Sequence, residues 1–598
     1  MERSGRYIPW AVFLLALVLR LFHVLQLDAS PLFAHPAVDS LTYAEHAARL
    51  AAGNWPGYGE GPFWQPPLYP YFLGLLKTFF PQSFFYAVRF VQALLGALSC
   101  VLLYVLGSHL FRPAVGAGAA LGAALCGTLI FFDGELLPAS LATFLDLAGL
   151  VLLLRALRHH CRRTFLAAGL LFGLAALAVP TVLGFVLAAA LWLCWRRGSG
   201  GRGRAAIFLL GAVLVIAPVT LRNFTIGNDA VLISHNGGIN FYIGNNPDYD
   251  RTLNLRPGWE WDELIDMPYQ AGIQKPSRKS RFYFARSWEY IRTQPFDWLR
   301  LLGRKFFLFW HGDEIGRNQD IYFWRNYSTP LSLTLWKAGV AFPFGVLAPL
   351  ALLGMLLAAR QQGLSPPLLF VAVYALCIIA FFVTARYRAP LLPLFALFAA
   401  HGGHWLYTGL RQHHFKSAGL GLGICILSAI PTNFQLPPMD MSGNAAIHYN
   451  LGNALARAGR SELARREFSR SVALDSTYWQ AWLNLGALEG VQGDMRAAAQ
   501  IFARVGRANP RRHRVWLNLA HAHLAMGDRD AALNAYRRSL AARPQQREVY
   551  IELIQFFLQE GDERNAEKIL QQALQYHPTD AARLRQLYLN TRARNAKK

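Results

Sequence analysis

Runs of about 20 predominantly apolar residues, the length that crosses a bilayer core as a helix, recur from Trp10 to about Pro431 of the 598-residue chain. No other feature restricts the fold as much. In hydrocarbon every backbone N–H and C=O has to be satisfied within the protein, and helices are the form such runs take. Candidate spans fall at roughly 9–27, 84–108, 114–132, 136–155, 164–179, 181–195, 205–221, 334–358, 366–384, 389–408 and 417–431. The expected fold class is therefore all-α: a polytopic helical membrane protein of about eleven spans, followed by a polar tail that needs a different solution. With 54% hydrophobic and 16% charged residues, length alone says little about domain count in the first part.

Basic loops set the expected orientation. Arg112, the stretch from Arg155 to Arg163, the stretch from Arg196 to Arg204, Arg360, and the stretch from Arg411 to Lys416 mark every second loop, and loops rich in Lys and Arg stay cytoplasmic. The amino terminus is then inside. Residues 165–195 overshoot one crossing at about 1.5 Å per residue. Both flanks are basic, so the expectation is a hairpin of two short spans turning at Pro180-Thr181; a single helix would invert everything after it. With that parity the Asp39 segment, the Asp133-Gly134-Glu135 turn, the loop 223–330, residues 384–388 and the tail after Pro431 face outward. In a bacterial inner (cytoplasmic) membrane, that is the periplasm.

The formal charge of +24 would point to nucleic acid if it clustered on one face. It is spread over loops and tail, so no nucleic-acid partner is expected. Cys100, Cys126, Cys161, Cys194, Cys377 and Cys425 lie in or beside spans with no CxxC, which suggests neither a disulfide scaffold nor a zinc site. The first apolar run is too long for a signal peptide and holds Arg20 and His23, so it reads as a retained span.

The tail has its own period. Gly459, Gly493, Gly527 and Gly561 recur every 34 residues, as do Ala464, Ala498, Ala532 and Ala566, and the large apolar Phe468, Phe502, Tyr536 and Leu570. Trp482, Trp516 and Tyr550 hold another position, and Pro510, Pro544 and Pro578 close repeats. This is the tetratricopeptide pattern, a repeating helix-turn-helix that buries a continuous core once about three units stack. The domain organisation reads as a membrane domain over 1–432 with outer loops 28–83 and 223–333, a linker at 433–442, four repeats over 443–578, and a basic capping tail at 579–598. Such stacks present a protein-binding surface. Arginines outnumber acids in the array, which suits an acidic or phosphate-bearing partner or a merely solvated face.

Chemistry is sought first at Asp39, in His35-Pro36-Ala37-Val38-Asp39-Ser40-Leu41-Thr42-Tyr43 just past the first span. A lone loop Asp is often only a helix start. Asp39, Tyr43 and Gly53, followed by Gln65-Pro66-Pro67-Leu68-Tyr69-Pro70-Tyr71, resemble the first outer loop of GT-C membrane glycosyltransferases, and most nearly glycosyltransferase family 39, the dolichyl-phosphate-mannose protein mannosyltransferase-like group. The likeness extends over most of 9–410 and takes in Phe131-Phe132-Asp133-Gly134-Glu135, the Pro180-Thr181 turn, and Ala385-Arg386-Tyr387-Arg388-Ala389-Pro390.

The resemblance implies an inverting transfer of a sugar from a polyprenyl-phosphate donor to an acceptor hydroxyl on the outer face, with Asp39 as general base. Arg386 and Arg388 stand where a leaving phosphate needs cations, and guanidinium matches phosphate bidentately. Asp133 and Glu135 form the second acidic site, for the acceptor or a divalent cation. Tyr43, His235 and Asn236 are further candidates for substrate contact from the outer loops. The chain departs from the protein mannosyltransferases in having Asp39-Ser40 for an acidic pair, and Val179 for a basic residue before the Pro-Thr turn. The partners implied are a lipid-linked sugar, the bilayer, and a protein acceptor or assembly partner on the repeats. The competing reading is a non-catalytic envelope-assembly scaffold that displays the repeats.

Overall fold

Apolar residues at helical spacing become helices almost throughout. The computed structural model describes residues 7–595 apart from 57–58, 60, 196–199, 256–257, 318–319, 360, 362–364, 435–442 and 578–579. Pro578, most of the linker, and the basic-loop residues Arg196, Arg197 and Arg360 lie outside the described residues. Among them the β structure is one short antiparallel ribbon, Trp336–Lys337 on Ala341–Phe342. The chain divides into two compact units, Met1–Met441 and Ser442–Lys598.

In the first unit five helices are long and apolar enough to cross a membrane: Ile8–Leu27, Phe84–Leu110, Ala139–His159, Gly201–Thr225 and Phe415–Asn433. A sixth span is possible if Pro113–Ala124 and Gly127–Gly134, bent by 53°, count as one. The expected count of about eleven is not reached by that measure. The physical reason is interruption. Apolarity is continuous where the helix is not, because proline and tight turns cut the runs into shorter pieces. Pro180–Trp195, Phe344–Ala358 and Ser365–Ala380 are such shorter apolar helices. The run at 164–195 breaks where its Pro-Thr pair stands. Arg162–Ala178 ends at Val179, extended at φ −142° and ψ 101° as a residue before proline prefers, and a 3₁₀ turn Pro180–Val182 leads into Leu183–Trp195.

Outward-facing side chains of the long helices are apolar. Leu420 and Leu427 are each 71% exposed, and Leu14, Val18, Leu25, Val213 and Leu214 are exposed as well. Apolar surface on this scale has no place in water; the unit is a membrane protein.

Inside it, glycines bring backbones together, as small residues do between membrane helices. A Cβ at Gly169 would collide with the Phe208 carbonyl, and one at Gly211 with that of Leu166, so Arg162–Ala178 and Gly201–Thr225 touch backbone to backbone. Gly354 meets Phe398 in the same way, joining Phe344–Ala358 to Leu392–Arg411. Arg20, in the first span, is buried against Asp133 at 2.6 Å.

The second unit is a tetratricopeptide solenoid. Its pairs are Gly443–Arg457 with Ser461–Leu474, Trp479–Val491 with Met495–Ala508, His513–Ala525 with Arg529–Ala542, and Arg547–Gln559 with Glu563–Tyr576, and Ala581–Asn595 follows as a cap. The repeated glycines have a conformational reason. Gly459, Gly493, Gly527 and Gly561 sit at φ between +72° and +95°, the left-handed step that ends a helix at little cost only for glycine. The next helix is then started by Asp494, Asp528 or Asp562, whose carboxylates accept N–H groups of Ala497, Ala531 and Asn565. Phe468, Phe502, Tyr536 and Leu570 fill the layer between helices, and Leu584 and Tyr588 of the cap close its end.

Gly354→Leu should lower the melting temperature of the detergent-solubilised protein by the equivalent of about 1–3 kcal/mol or more, since the collision is with backbone. Gly403→Leu, which meets nothing within 4 Å, should melt as wild type does.

Candidate active site

Asp39 stands in the first turn of the helix Val38–Ala51. Val38, directly before it, is held at φ +53°. A β-branched residue there is strained by roughly 1–3 kcal/mol, the kind of cost that surrounding structure sustains at functional sites. The Asp39 carboxylate meets the Arg386 guanidinium at 2.5 Å, across 347 residues of sequence. Arg386 also donates to the Tyr387 hydroxyl at 3.2 Å.

Arg386 lines a pocket of about 410 Å³, counted out to solvent, whose walls also include Ser40, Phe132, Glu135, Arg317 and Thr384; Asp39 is joined to it through Arg386 and through its neighbour Ser40. Ser40 donates to Glu135 at 3.5 Å. Four segments distant in sequence therefore converge: the first loop, the acidic turn, the loop around Arg317 and the 384–388 segment.

The acidic turn is held from the helix Phe84–Leu110. Arg89 Nε donates to the Gly134 carbonyl at 2.8 Å, and Gln92 Nε2 to the carbonyls of Asp133 and Glu135 at 3.0 and 2.6 Å. Gln92 is itself fixed by the Tyr69 hydroxyl at 2.6 Å. Tyr43, buried one turn after Asp39, stacks edge-on against that same Tyr69 with centroids 5.0 Å apart. Tyr43 thus couples the Asp39 helix to the acidic turn through packing.

The two carboxylates of that turn separate. Asp133 turns inward to Arg20, while Glu135 faces Ser40 and the pocket. Burial pushes the Glu135 carboxyl up to about 7, against the opposing effects of Arg89 and Ser40.

The two arginines separate as well. Arg388 is buried and donates to the Glu314 carboxylate at 2.9 Å and to the carbonyls of Phe309, His311 and Asp313 at 3.1, 2.6 and 3.1 Å. Thr128 donates to the other Glu314 oxygen at 2.7 Å, and the Ala385 N–H to the Ile315 carbonyl at 2.8 Å. The pair expected to act together on phosphate is thus divided: Arg386 faces the pocket, and Arg388 staples the 309–315 segment in place.

That staple presents Arg317, which sequence reasoning missed. Its guanidinium lies over the Phe382 ring at 4.6 Å and lines the pocket beside Arg386. The signal available was a lone arginine in a polar loop, with no local motif around it. Glu314 was missed for the same reason; Arg89 and Gln92 stood inside the apolar run 84–108, where a polar residue was itself the available signal.

His235 and Asn236 do not line the pocket. His235 packs its ring against Trp64, centroids 4.9 Å apart, and its backbone N–H donates to the Phe63 carbonyl at 3.0 Å. Burial, with Lys279 nearby, pulls its imidazole down to about 4, so it is neutral at physiological pH. Asn236 accepts from the Ser234 hydroxyl at 3.1 Å. Among the described residues no group of three His, Cys, Asp or Glu side chains is placed to hold a metal ion.

Together these define a polytopic helical membrane protein with a largely apolar pocket, edged by charged groups, where its loops meet. Residues 64–221 match the family model described as dolichyl-phosphate-mannose-protein mannosyltransferase. Residues 444–513, 492–550 and 523–589 match tetratricopeptide repeat models. The chain carries a family-39-like glycosyltransferase domain of the GT-C kind and a tetratricopeptide array. The first match lies between Asp39 and Arg386 and includes neither. No curated protein matches the chain. Solved structures similar to it include MamA 41-end from Desulfovibrio magneticus RS-1, 16% identical over 29% of this chain and 93% of that one with a TM-score of 0.21. Another is pilF of Pseudomonas aeruginosa, 21% identical over 32% and 86% with a TM-score of 0.23. At these scores neither likeness assigns anything to this chain.

Two outcomes follow from the buried charges. Arg388→Met leaves Glu314 buried without its cation and should cost about 3–5 kcal/mol, read as a fall in melting temperature. Glu135 binds its proton more tightly folded than unfolded, so it withdraws stability as pH rises from about 4.5 to about 7. A tenfold change in proton affinity is worth about 1.4 kcal/mol, so roughly 2–4 kcal/mol is involved. Glu135→Gln should flatten the fall in melting temperature between about pH 5 and about pH 7.5.

Proposed function

We propose that this protein transfers a sugar from a polyprenyl-phosphate donor to an acceptor hydroxyl, with inversion, on the outer face of the inner membrane. The observation that carries this reading is the Asp39 carboxylate held against Arg386, which itself lines a pocket with Arg317 and Glu135. A hydroxyl is a weak nucleophile until a positioned base takes its proton, a contribution of about 10²–10⁴-fold. In this reading Asp39 accepts that proton as the acceptor oxygen bonds to the anomeric carbon. The bond from that carbon to the phosphate oxygen breaks on the opposite face, which inverts the centre. Arg386 and Arg317 receive the charge that grows on the departing lipid phosphate. Glu135, neutral for part of the physiological range, donates or accepts at a sugar or acceptor hydroxyl.

The mannosyltransferase-type domain supports the class of reaction, and the lipid-linked donor of that family supports the donor. Tetratricopeptide repeats support recruitment of a protein, either the acceptor or an assembly partner. The basic-loop pattern supports the periplasmic side.

The test is sugar release from a panel of radiolabelled polyprenyl-phosphate sugars by membranes holding equal amounts of wild type, Asp39→Asn and Arg317→Gln. Wild type should turn over one donor. Asp39→Asn should lose about a hundredfold or more, and Arg317→Gln about tenfold to a hundredfold. Full activity in Asp39→Asn would remove it from the mechanism. No turnover of any donor would favour a scaffold.

A further inference from the structure

The repeat unit is electrically lopsided along its length. In a helix-turn-helix stack, each repeat's second helix ends where the next repeat's first helix begins. The joining segments 509–512 and 543–546 therefore share one edge, and the glycine turns share the other. The glycine edge is rich in carboxylates: Asp494, Asp528 and Asp562 start helices there, and Arg529 pairs with Glu560 at 2.7 Å.

The opposite edge is cationic. Arg504, Arg507, Arg511, Arg514, Arg538 and Arg543 are exposed there and form no ion pair among the described residues. They converge rather than merely coexist. Arg504 lies over Trp482 at 4.5 Å and Arg538 over Trp516 at 4.8 Å, one repeat apart. Arg543, Arg514 and Arg512 all bear on His513, which burial and these charges together pull down to about 4. The helices starting at this edge, Trp479–Val491 and His513–Ala525, have no side-chain cap on their N-termini, which adds positive field. At the same edge, at the end of Ser461–Leu474, the apolar Leu474 is 56% exposed.

Two facts decide what such an edge meets. The repeats begin at Gly443 and the last membrane-spanning helix ends at Asn433. Whatever path the intervening residues take, nine of them reach at most about 30 Å. The bilayer surface is thus present at a high effective concentration that no free partner matches. The patch also has the make-up of a headgroup-binding surface: dispersed arginines braced on aromatic rings, with an apolar side chain among them, and no concave pocket is needed.

We propose that the inter-repeat edge built on Arg504, Arg507, Arg511, Arg514, Arg538 and Arg543 docks on anionic phospholipid headgroups of the membrane that carries the first unit. The opposite edge and the inner surface of the array remain available to a protein. Attraction of this kind acts over about 10 Å at 0.1 M salt and about 3 Å at 1 M, so the docking is reversible by ionic strength.

Hydrogen–deuterium exchange on the full chain in lipid nanodiscs tests this. Backbone amides of 509–515 and 543–549 should exchange several-fold more slowly in discs containing phosphatidylglycerol than in phosphatidylcholine alone, and about 1 M salt should abolish the difference. Arg507→Gln with Arg511→Gln should remove most of the protection. Arg496→Gln with Arg564→Gln, equal in lost charge but on the other edge, should keep it. Exchange of each variant in phosphatidylcholine reports whether its repeats remain folded. Equal exchange in both lipids, or equal loss of protection in both variants, would overturn the proposal and leave the edge to an acidic polypeptide.

Discussion

A charge in an apolar interior has to be answered, and at Arg388 the answer comes to both terminal nitrogens of the guanidinium. One carboxylate and three backbone carbonyls converge on its guanidinium. The pairing is costly to desolvate and gains most of its value from geometry. That geometry is what the pocket depends on. The 309–315 segment, at the end of a long polar loop, is fixed to the 384–388 segment between two apolar helices, and Thr128 fixes Glu314 from a third direction. Arg317 and Arg386 reach one pocket from segments that this knot joins. Arg20 with Asp133 repeats the principle deeper in the bundle, where an intramembrane charge persists because it is matched.

What the sequence made legible tracks how local each signal is. The 34-residue period could be read completely, because every repeated residue answers a need in its own neighbourhood. Glycine makes a left-handed step, alanine allows close approach, and a large side chain fills the layer. Asp39 and Arg386 were singled out in the sequence, Asp39 through the likeness of its loop to a known family and Arg386 as a charge beside an apolar run. Their contact was not, because nothing in either neighbourhood encodes a partner 347 residues away.

Arg386 and Arg388 show the limit sharply. Two residues apart in the short helix Ala385–Arg388, they cannot share a face, so one lines the pocket and the other is buried. Sequence proximity had made them look like a pair. Asp133 and Glu135 divide for the same geometric reason at the end of Gly127–Gly134. The span count is limited differently. Hydropathy sums over residues and does not register a break such as that between Ala124 and Gly127, whereas the break before Pro180 was marked by its proline.

The contact between Asp39 and Arg386 carries a kinetic implication. In the proposed mechanism a carboxylate paired to a guanidinium is a poor proton acceptor, so the resting site is switched off. On that reading the anionic lipid phosphate of the donor competes for the same arginine, and its arrival is what unmasks the base. A catalyst arranged this way imposes a sequence on its substrates: the donor enters first, and an acceptor that comes early finds no group ready to activate it. Its steady-state kinetics would then carry the signature of compulsory order, with one ion pair serving as the gate.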